Sequence, residues 1–309
     1  MAANVGASVQ ARLKNLSKER GIDMIALLRR YAQERLLYRL SVSDEASNFC
    51  VKGGLLLSAY NDGDLLRPTE DIDFNGFDPG ADVATVEKAI RRVLATEVAD
   101  DGVVFFPQTI RVEKDRTGRI PGGKISFSAR VHTSKVEVRV DVGFGNPVSP
   151  EVRKLVMPTL LEGVAPRPEV LAYPLETVIA EKVHAMVQFG LLNTRVKDYF
   201  DLWMLSRTQA FEGADLVSAL SRTFEAQGRE IPATPLDGLT ADYAVEQDRA
   251  WRAFLGRIHH RGSLDLAAVV ADVAEMVHPV AEAARSGETL DASWVPGAGW
   301  ERPTLSMSA

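Results

Sequence analysis

Two carboxylates spaced two residues apart stand out in Arg67-Pro-Thr-Glu-Asp71-Ile-Asp73-Phe74. In a strand, residues i and i+2 project from the same face. Asp71 and Asp73 would then sit side by side, with Ile72 and Phe74 directed into a core. Adjacent carboxylates repel at neutral pH unless a cation lies between them. An all-oxygen site of this kind suits Mg²⁺. A third carboxylate comes from Val136–Gly143, where Val136, Val138, Val140 and Val142 alternate with Glu137, Arg139, Asp141 and Gly143. Asp141 falls on the polar face of that strand. Beside the Asp71/Asp73 strand it would complete the set needed for two-metal phosphoryl or nucleotidyl transfer. A solvated sheet face explains Asp141 equally well on spacing alone.

Cationic and glycine-rich features accompany the acids. Lys52-Gly53-Gly54 precedes a short apolar helix over Leu55–Tyr60. Paired glycines let a backbone approach phosphate, and a helix N-terminus favours anions. No Gly-Lys-Ser/Thr follows, so this is not a Walker A loop, and an ordinary tight turn is the competing reading. Further on, Glu181-Lys182 lies on an amphipathic helix and Arg195-x-Lys197-Asp198-x-x-Asp201 opens the next. Asp198 and Asp201 share a helix face, with Arg195 and Lys197 each placed to pair with one of them. The bland alternative is a surface ion network. Arg111, Lys114, Arg116, Arg119 and Lys124 form a basic hairpin able to follow an RNA backbone. His184, His259, His260 and His278 have no metal-like spacing with carboxylates. Ser58 and Cys50 have no recognisable base nearby, which leaves a hydrolase reading unsupported.

The elements that must position these residues follow from periodicity. Helices are expected over Val9–Ser17 and over Asp23–Leu40, the second with Asp23 as N-cap and Ile25, Leu28, Tyr31, Ala32 and Leu36 on one stripe. Asn61–Asp64 is turn chemistry. A strand over Asp71–Asn75 and a helix over Asp82–Ala95 come next. Strands are then expected over Val103–Glu113, Lys124–His132 and Lys135–Phe144. Beyond about residue 170 the chain reads as helical, at Leu175–Phe189, at Arg195–Ser206 and near 213–227, 240–260 and 264–285. Residues from about 286 read as an irregular tail. The fold class is α+β. It comprises a mixed sheet with helices over residues 1–165, then a mainly helical domain over 166–309 that carries Lys182 and Asp198.

Composition sets outer bounds. The chain has 309 residues, 46% hydrophobic and 25% charged, typical of a soluble globular protein. Its net charge is −6. The front is basic, whereas residues 210–309 carry eight Lys/Arg against fifteen Asp/Glu. That asymmetry suits a basic substrate face on an acidic protein, or merely an uneven solvated surface. No apolar run approaches the roughly 18 residues of a membrane span, so no membrane partner is expected. A single cysteine excludes an intramolecular disulfide and fits a reducing cytoplasm.

Taken together, the motifs resemble the AbiEii/AbiGii-type nucleotidyltransferase toxins of type IV toxin–antitoxin systems, including MenT-like toxins. The matching residues are Arg35-Leu-Leu-Tyr-Arg-Leu40, Phe49-Cys-Val-Lys-Gly-Gly54, Arg67-Pro-Thr-Glu-Asp-Ile-Asp73, the Asp141 strand, Ala180-Glu-Lys182 and Arg195-Val-Lys-Asp-Tyr-Phe-Asp-Leu202. They cover about residues 25–205 in family order. The resemblance implies a polymerase-β-like core with an added helical domain, Mg²⁺ as cofactor and an NTP donor. It implies transfer of a nucleotidyl group to RNA, tRNA 3′ ends in particular, with growth arrest opposed by a cognate antitoxin. Lys52, Asp71, Lys182 and Asp198 fall on the family's essential positions.

On this reading Asp71 and Asp73 bind the Mg²⁺ that grips the NTP triphosphate, and Asp141 binds the second metal and helps deprotonate the acceptor hydroxyl. Lys52 and Lys182 neutralise phosphate charge, and Asp198 positions Lys182 or contacts nucleotide. Gly53, Gly54, Thr69, Arg195 and Asp201 complete the nucleotide contacts. The gap from Gly54 to Asp71 is longer than polymerase-β-like enzymes usually have. Two other functions fit the same residues: nucleotidylation of a protein hydroxyl, and a non-catalytic nucleotide-binding partner module. Nothing requires more than a monomer.

Overall fold

A computed structural model describes residues 4–60, 67–78, 80, 82–115 and 122–302, without the side chains of 114 and 115. The turn expected at Asn61–Asp64 lies outside the described residues. The chain divides into two compact units, Met1–Asn146 with Val152–Tyr173, and Pro147–Glu151 with Pro174–Ala309.

The first unit begins with helices α1 (Val5–Arg20) and α2 (Met24–Ser41), strand β1 (Phe49–Lys52) and the short helix α3 (Gly53–Leu57). Strand β2 (Asp71–Gly76) and helix α4 (Val83–Ala95) follow. Strands β3 (Val103–Asp115), β4 (Gly122–Val131), β5 (Ser134–Phe144), β6 (Arg153–Val156) and β7 (Glu169–Ala172) complete it. Among the described residues the strands form one mixed sheet in the order β3-β4-β5-β2-β1-β7-β6. Strand β2 runs parallel to β5 and β1 parallel to β7, while the other neighbours are antiparallel. The strict alternation in β5 pays off as expected, since Val136, Val138, Val140 and Val142 are all buried. Ile72 and Phe74 of β2 are buried on the same side, so the acidic residues between them face the other way. Cys50 lies buried in β1, near the middle of the sheet.

Helix α2 departs from the expected amphipathic stripe. Asp23 does cap it, its side chain accepting from the Ala26 N–H at 2.9 Å. Ile25, however, is 58% exposed, whereas Arg30, Gln33, Glu34, Arg35 and Arg39 are buried beside Leu28, Tyr31 and Leu36. The helix is enclosed nearly all round, and its polar side chains must therefore find partners. Arg39 forms a two-bonded pair with Asp101, at 2.7 and 3.2 Å. Arg35 donates to the Pro166 carbonyl at 2.9 Å. Periodicity cannot distinguish a polar residue that faces water from one that faces a carbonyl.

The second unit contains α5 (Leu175–Phe189), α6 (Val196–Thr208), β8 (Phe211–Glu212), α7 (Gly213–Ala226), α8 (Ala241–Arg257) and α9 (Leu266–Ser286). It ends with β9 (Ser293–Val295) and β10 (Gly299–Glu301). Residues beyond 286 were expected to be irregular, but these strands pair with each other and β9 pairs with β8. Tryptophan supplies the reason. The Trp294 ring is buried against Trp300 at 5.6 Å, and its N–H donates to the Ser206 carbonyl at 2.7 Å. No described helix is long and apolar enough to cross a membrane.

Two histidines of this unit are held neutral. Burial first, and then the charge of Arg229, push the pKa of His184 below the usual 6.5 against the pull of Glu181. Its ring stands edge-on to Phe224, with centroids 5.0 Å apart. Burial likewise lowers His278, whose Nε2 accepts from the Leu236 N–H at 3.3 Å. The unfolded chain protonates near 6.5 while the folded chain resists until lower pH. Stability is therefore full above that value and declines below it. All four tryptophans of the chain lie in this unit, so their fluorescence reports on it alone. The urea midpoint by tryptophan fluorescence should fall between about pH 7.5 and 5.5, and less steeply in His184→Phe. A midpoint flat across that interval would contradict the assignment.

Candidate functional site

Register places the chemistry on one face of the sheet. Asp73 on β2 is paired with Asp141 on β5 and, on its other side, with Lys52 on β1. Asp141 is paired in turn with Lys124 on β4, and Lys124 with Glu113 on β3. One cross-strand row therefore reads Glu113, Lys124, Asp141, Asp73, Lys52. The neighbouring row reads Arg111, Ser126, Arg139, Asp71. Neighbouring strands lie about 4.8 Å apart, so each residue adjoins the next in its row. An open concavity of about 270 Å³ lies over these rows, lined by Asp71, Arg111, Lys124, Ser126, Arg139 and Asp141 among others.

Ion pairs organise this face. Lys124 Nζ lies 3.8 Å from Asp141 Oδ2. Arg139 donates to Glu137 at 2.8 Å and to Glu70 at 3.1 Å. Its hydrogen bond to the Glu137 carboxylate first, with the charges of Glu137, Glu70 and Asp71, holds its guanidinium still more firmly protonated. Asp71 is different, because its Oδ1 is buried with no hydrogen-bond partner among the described residues. An orphaned carboxylate oxygen calls for a proton donor or a cation. With Asp73 and Asp141 nearby, the donor set is all oxygen, which fits a hard divalent cation such as Mg²⁺. Among the described residues, no group of three or more His, Cys, Asp or Glu side chains is gathered closely enough to hold a metal.

Glycines are required where these side chains crowd the backbone. Gly53 has φ +70°, and a Cβ there would lie 2.0 Å from Asp73 Oδ2. A Cβ on Gly54 would lie 2.6 Å from a terminal nitrogen of Arg67. The two glycines thus admit the Asp73 carboxylate and the Arg67 guanidinium, a role that the reading as a phosphate turn did not contain. Lys52 precedes them as N-cap of α3, its ammonium 5.6 Å from the centre of the Tyr173 ring. The carbonyl of Thr69 faces Gln33 Nε2 at 3.4 Å. The side chain of Lys114, with Arg116 and Arg119, lies outside the described residues.

The second unit contains a separate charged cluster. Lys182 Nζ on α5 lies 2.6 Å from Asp198 Oδ1 and 2.7 Å from Asp201 Oδ2, both on α6. These three side chains are at most 10% exposed. The sequence paired Asp198 and Asp201 with Arg195 and Lys197 on their own helix. The ammonium of a different helix holds them instead, and Arg195 stacks over the Phe189 ring at 5.3 Å. One turn separates the two acids, so a single ammonium entering from α5 can bond both, whereas Arg195 begins the helix outside its core.

The sequence model of the family described as nucleotidyl transferase AbiEii toxin, type IV toxin–antitoxin system, matches residues 35–272. No curated protein sequence is significantly similar to the chain. Among solved structures, MenT4, a nucleotidyltransferase toxin from Mycobacterium tuberculosis, is 18% identical with a TM-score of 0.52. That match covers 90% of this chain and 99% of the other and indicates a shared fold. JHP933 from Helicobacter pylori is 16% identical with a TM-score of 0.45, over 85% of this chain and 92% of that one.

Two substitutions probe these clusters. Gly53→Ala should cost about 1–2 kcal/mol for its positive φ alone, before the clash with Asp73 is added. Lys182→Met should cost about 3–5 kcal/mol, because two buried carboxylates lose their counter-ion. Adding Asp201→Asn to Lys182→Met should recover part of that loss in urea denaturation. Purely additive effects would show that the cluster does not act as one unit.

Proposed function

The chain belongs to the AbiEii nucleotidyl transferase toxins of type IV toxin–antitoxin systems, and we propose that it transfers a nucleoside monophosphate from an NTP to RNA, at a tRNA 3′ end. The observation that carries this is the orphaned Oδ1 of Asp71 beside the in-register acids Asp73 and Asp141. Asp71 and Asp73 would hold Mg²⁺, with Asp141 as a further ligand. When bound, the ion supplies charge neutralisation for the triphosphate and lowers the pKa of the attacking hydroxyl.

The chain's own residues account for the remaining steps. Lys52, one strand from Asp73, offsets negative charge on the donor phosphates. Backbone at Gly53 and Gly54 and the side chain of Thr69 add donor contacts. The acceptor hydroxyl attacks the α-phosphorus, the bond to the β-phosphate oxygen breaks, and pyrophosphate leaves. The hydroxyl proton passes to a carboxylate oxygen of Asp141, whose Oδ2 lies 3.8 Å from Lys124 Nζ. In the helical unit, Lys182 is the proposed phosphate partner. Asp198 and Asp201 fix its ammonium, and Arg195 serves as a further nucleotide contact.

An RNA acceptor is favoured by the row that leads away from Asp71. Arg139 and Arg111 are cations on β5 and β3, with Ser126 between them, lining one concavity. Such a track suits a phosphate backbone ending at the acid pair. Lys124 adjoins it. The proposed setting is the cytoplasm, where a cognate antitoxin opposes a monomeric toxin.

The test is incubation of the protein with Mg²⁺, each α-³²P-labelled NTP and total tRNA. Labelled tRNA is expected with one preferred NTP, and only background label with Asp71→Ala. Label in protein alone would move the acceptor to a polypeptide, and bound NTP without transfer would make the chain a binding module. Transfer should also weaken steeply with salt, and Arg111→Gln should flatten the logarithmic slope by about 0.7. An unchanged slope would remove Arg111 from the RNA track.

A further inference from the structure

One turn of α2 holds two segments that adjoin candidate residues of the first unit, the one before Asp71 and the one after Gly54. Arg30, Gln33 and Glu34 share a helix face at i, i+3 and i+4, and all three are buried. They lie before the stretch matched by the family model, which starts at residue 35.

Gln33 is fully buried, and its Nε2 donates to the Glu70 carbonyl at 3.0 Å and more weakly to that of Thr69 at 3.4 Å. Carbonyls only accept, so the amide orientation is fixed by chemistry. Its Oε1 has no partner among the described residues. An unsatisfied buried acceptor costs about 1–3 kcal/mol, which an apolar residue of the same length would avoid. That cost offsets the net gain of about 0.5–1.5 kcal/mol from each Nε2 bond, so stability alone gives little reason for a glutamine here. Its Nε2 explains it, by pinning the two peptide units immediately before Asp71, just ahead of the β2 ladder.

Arg30 performs the matching task on the other segment. Its Nη2 donates to Ser58 Oγ at 2.9 Å, and Ser58 Oγ donates to the Leu55 carbonyl at 2.8 Å. That tie closes the end of α3, the helix that starts at Gly53. Arg30 is itself fixed by Glu34, through Nε at 3.0 Å. The Glu34 carboxylate also accepts from the Leu160 N–H, at 3.1 Å to each oxygen.

We infer that Gln33 and Arg30 are positioning residues for nucleotidyl transfer. They set the place of Asp71 relative to the Lys52-Gly53-Gly54 turn by holding residues 69–70 and 55–58 to one rigid helix. The inference rests on the function proposed above.

The test is Gln33→Met, which keeps length and burial but removes the donor. Hydrogen–deuterium exchange at residues 69–72 should accelerate, with the melting temperature little changed because the lost bonds and the removed orphan acceptor offset each other. Transfer kcat should fall about 10- to 100-fold, with KM for tRNA unchanged. Unchanged exchange at 69–72 would overturn the inference. So would a lowered melting temperature with normal kcat per folded molecule, which is the mark of a merely structural residue. Ser58→Ala, losing only a hydroxyl, should accelerate exchange at residues 55–60 and lower kcat in the same way, and its failure to do either would remove Arg30 from the pair. If the wild-type protein transfers no nucleotide, the proposed function fails. The exchange rates then still decide whether Gln33 holds the strand.

Discussion

Carboxylates confined to one sheet face repel one another, and the first unit is arranged around that repulsion. Two full charges about 5 Å apart at an effective dielectric of about 20 oppose each other by roughly 3 kcal/mol. Asp73 and Asp141 stand in register on neighbouring strands, and Asp71 is next on the same face. Cations interleave with them across the strands: Lys52 on one side of Asp73, Lys124 beside Asp141, and Arg139 beside Asp71. The pattern lowers the cost without cancelling it, because a buried oxygen of Asp71 has no hydrogen-bond partner among the described residues. What remains is an affinity for positive charge built into the fold.

The opposite face of the sheet supplies the cohesion that makes this affordable. The valines of β5 with Ile72 and Phe74 are buried there. Helix α2 adds order of another kind, since its buried polar side chains are anchored to backbone carbonyls and acids at fixed points. Apolar packing tolerates small slips, whereas a hydrogen bond to one carbonyl does not. In the helical unit the same logic applies on a smaller scale, where one ammonium bonds two acids from a neighbouring helix. That cluster ties α5 to α6.

Much of this was legible in the residues. Alternation located β2 to β5, and helical periodicity located α4 to α9. Less legible was anything that depends on who pairs with whom. Strands β6 and β7 are four residues each, too short for alternation to register. The buried polar residues of α2 looked like an ordinary wet face, because periodicity records residue type and not surroundings. Spacing alone placed Arg195 and Lys197 to pair with Asp198 and Asp201, whereas Lys182, expected beside Asp198 only on the family likeness, bonds both from sixteen or more positions away. Gly53 and Gly54 were visible as a close approach, but the groups that approach them are Asp73 and Arg67, both remote in sequence.

The parallel pairing of β2 with β5 bears on when the site comes into being. Asp71 and Asp73 are synthesised long before Asp141, and β3 and β4 must be laid down between them. Strand β1, which carries Lys52, is flanked on its far side by β7, later still. Non-local pairings of this sort incur their loop-closure entropy before any contact rewards them, and they form slowly. A growing chain thus carries its first two acids through β3 and β4 before Asp141 is made to align with them. The acid row is assembled by the later strands, not by the segment that bears its first members.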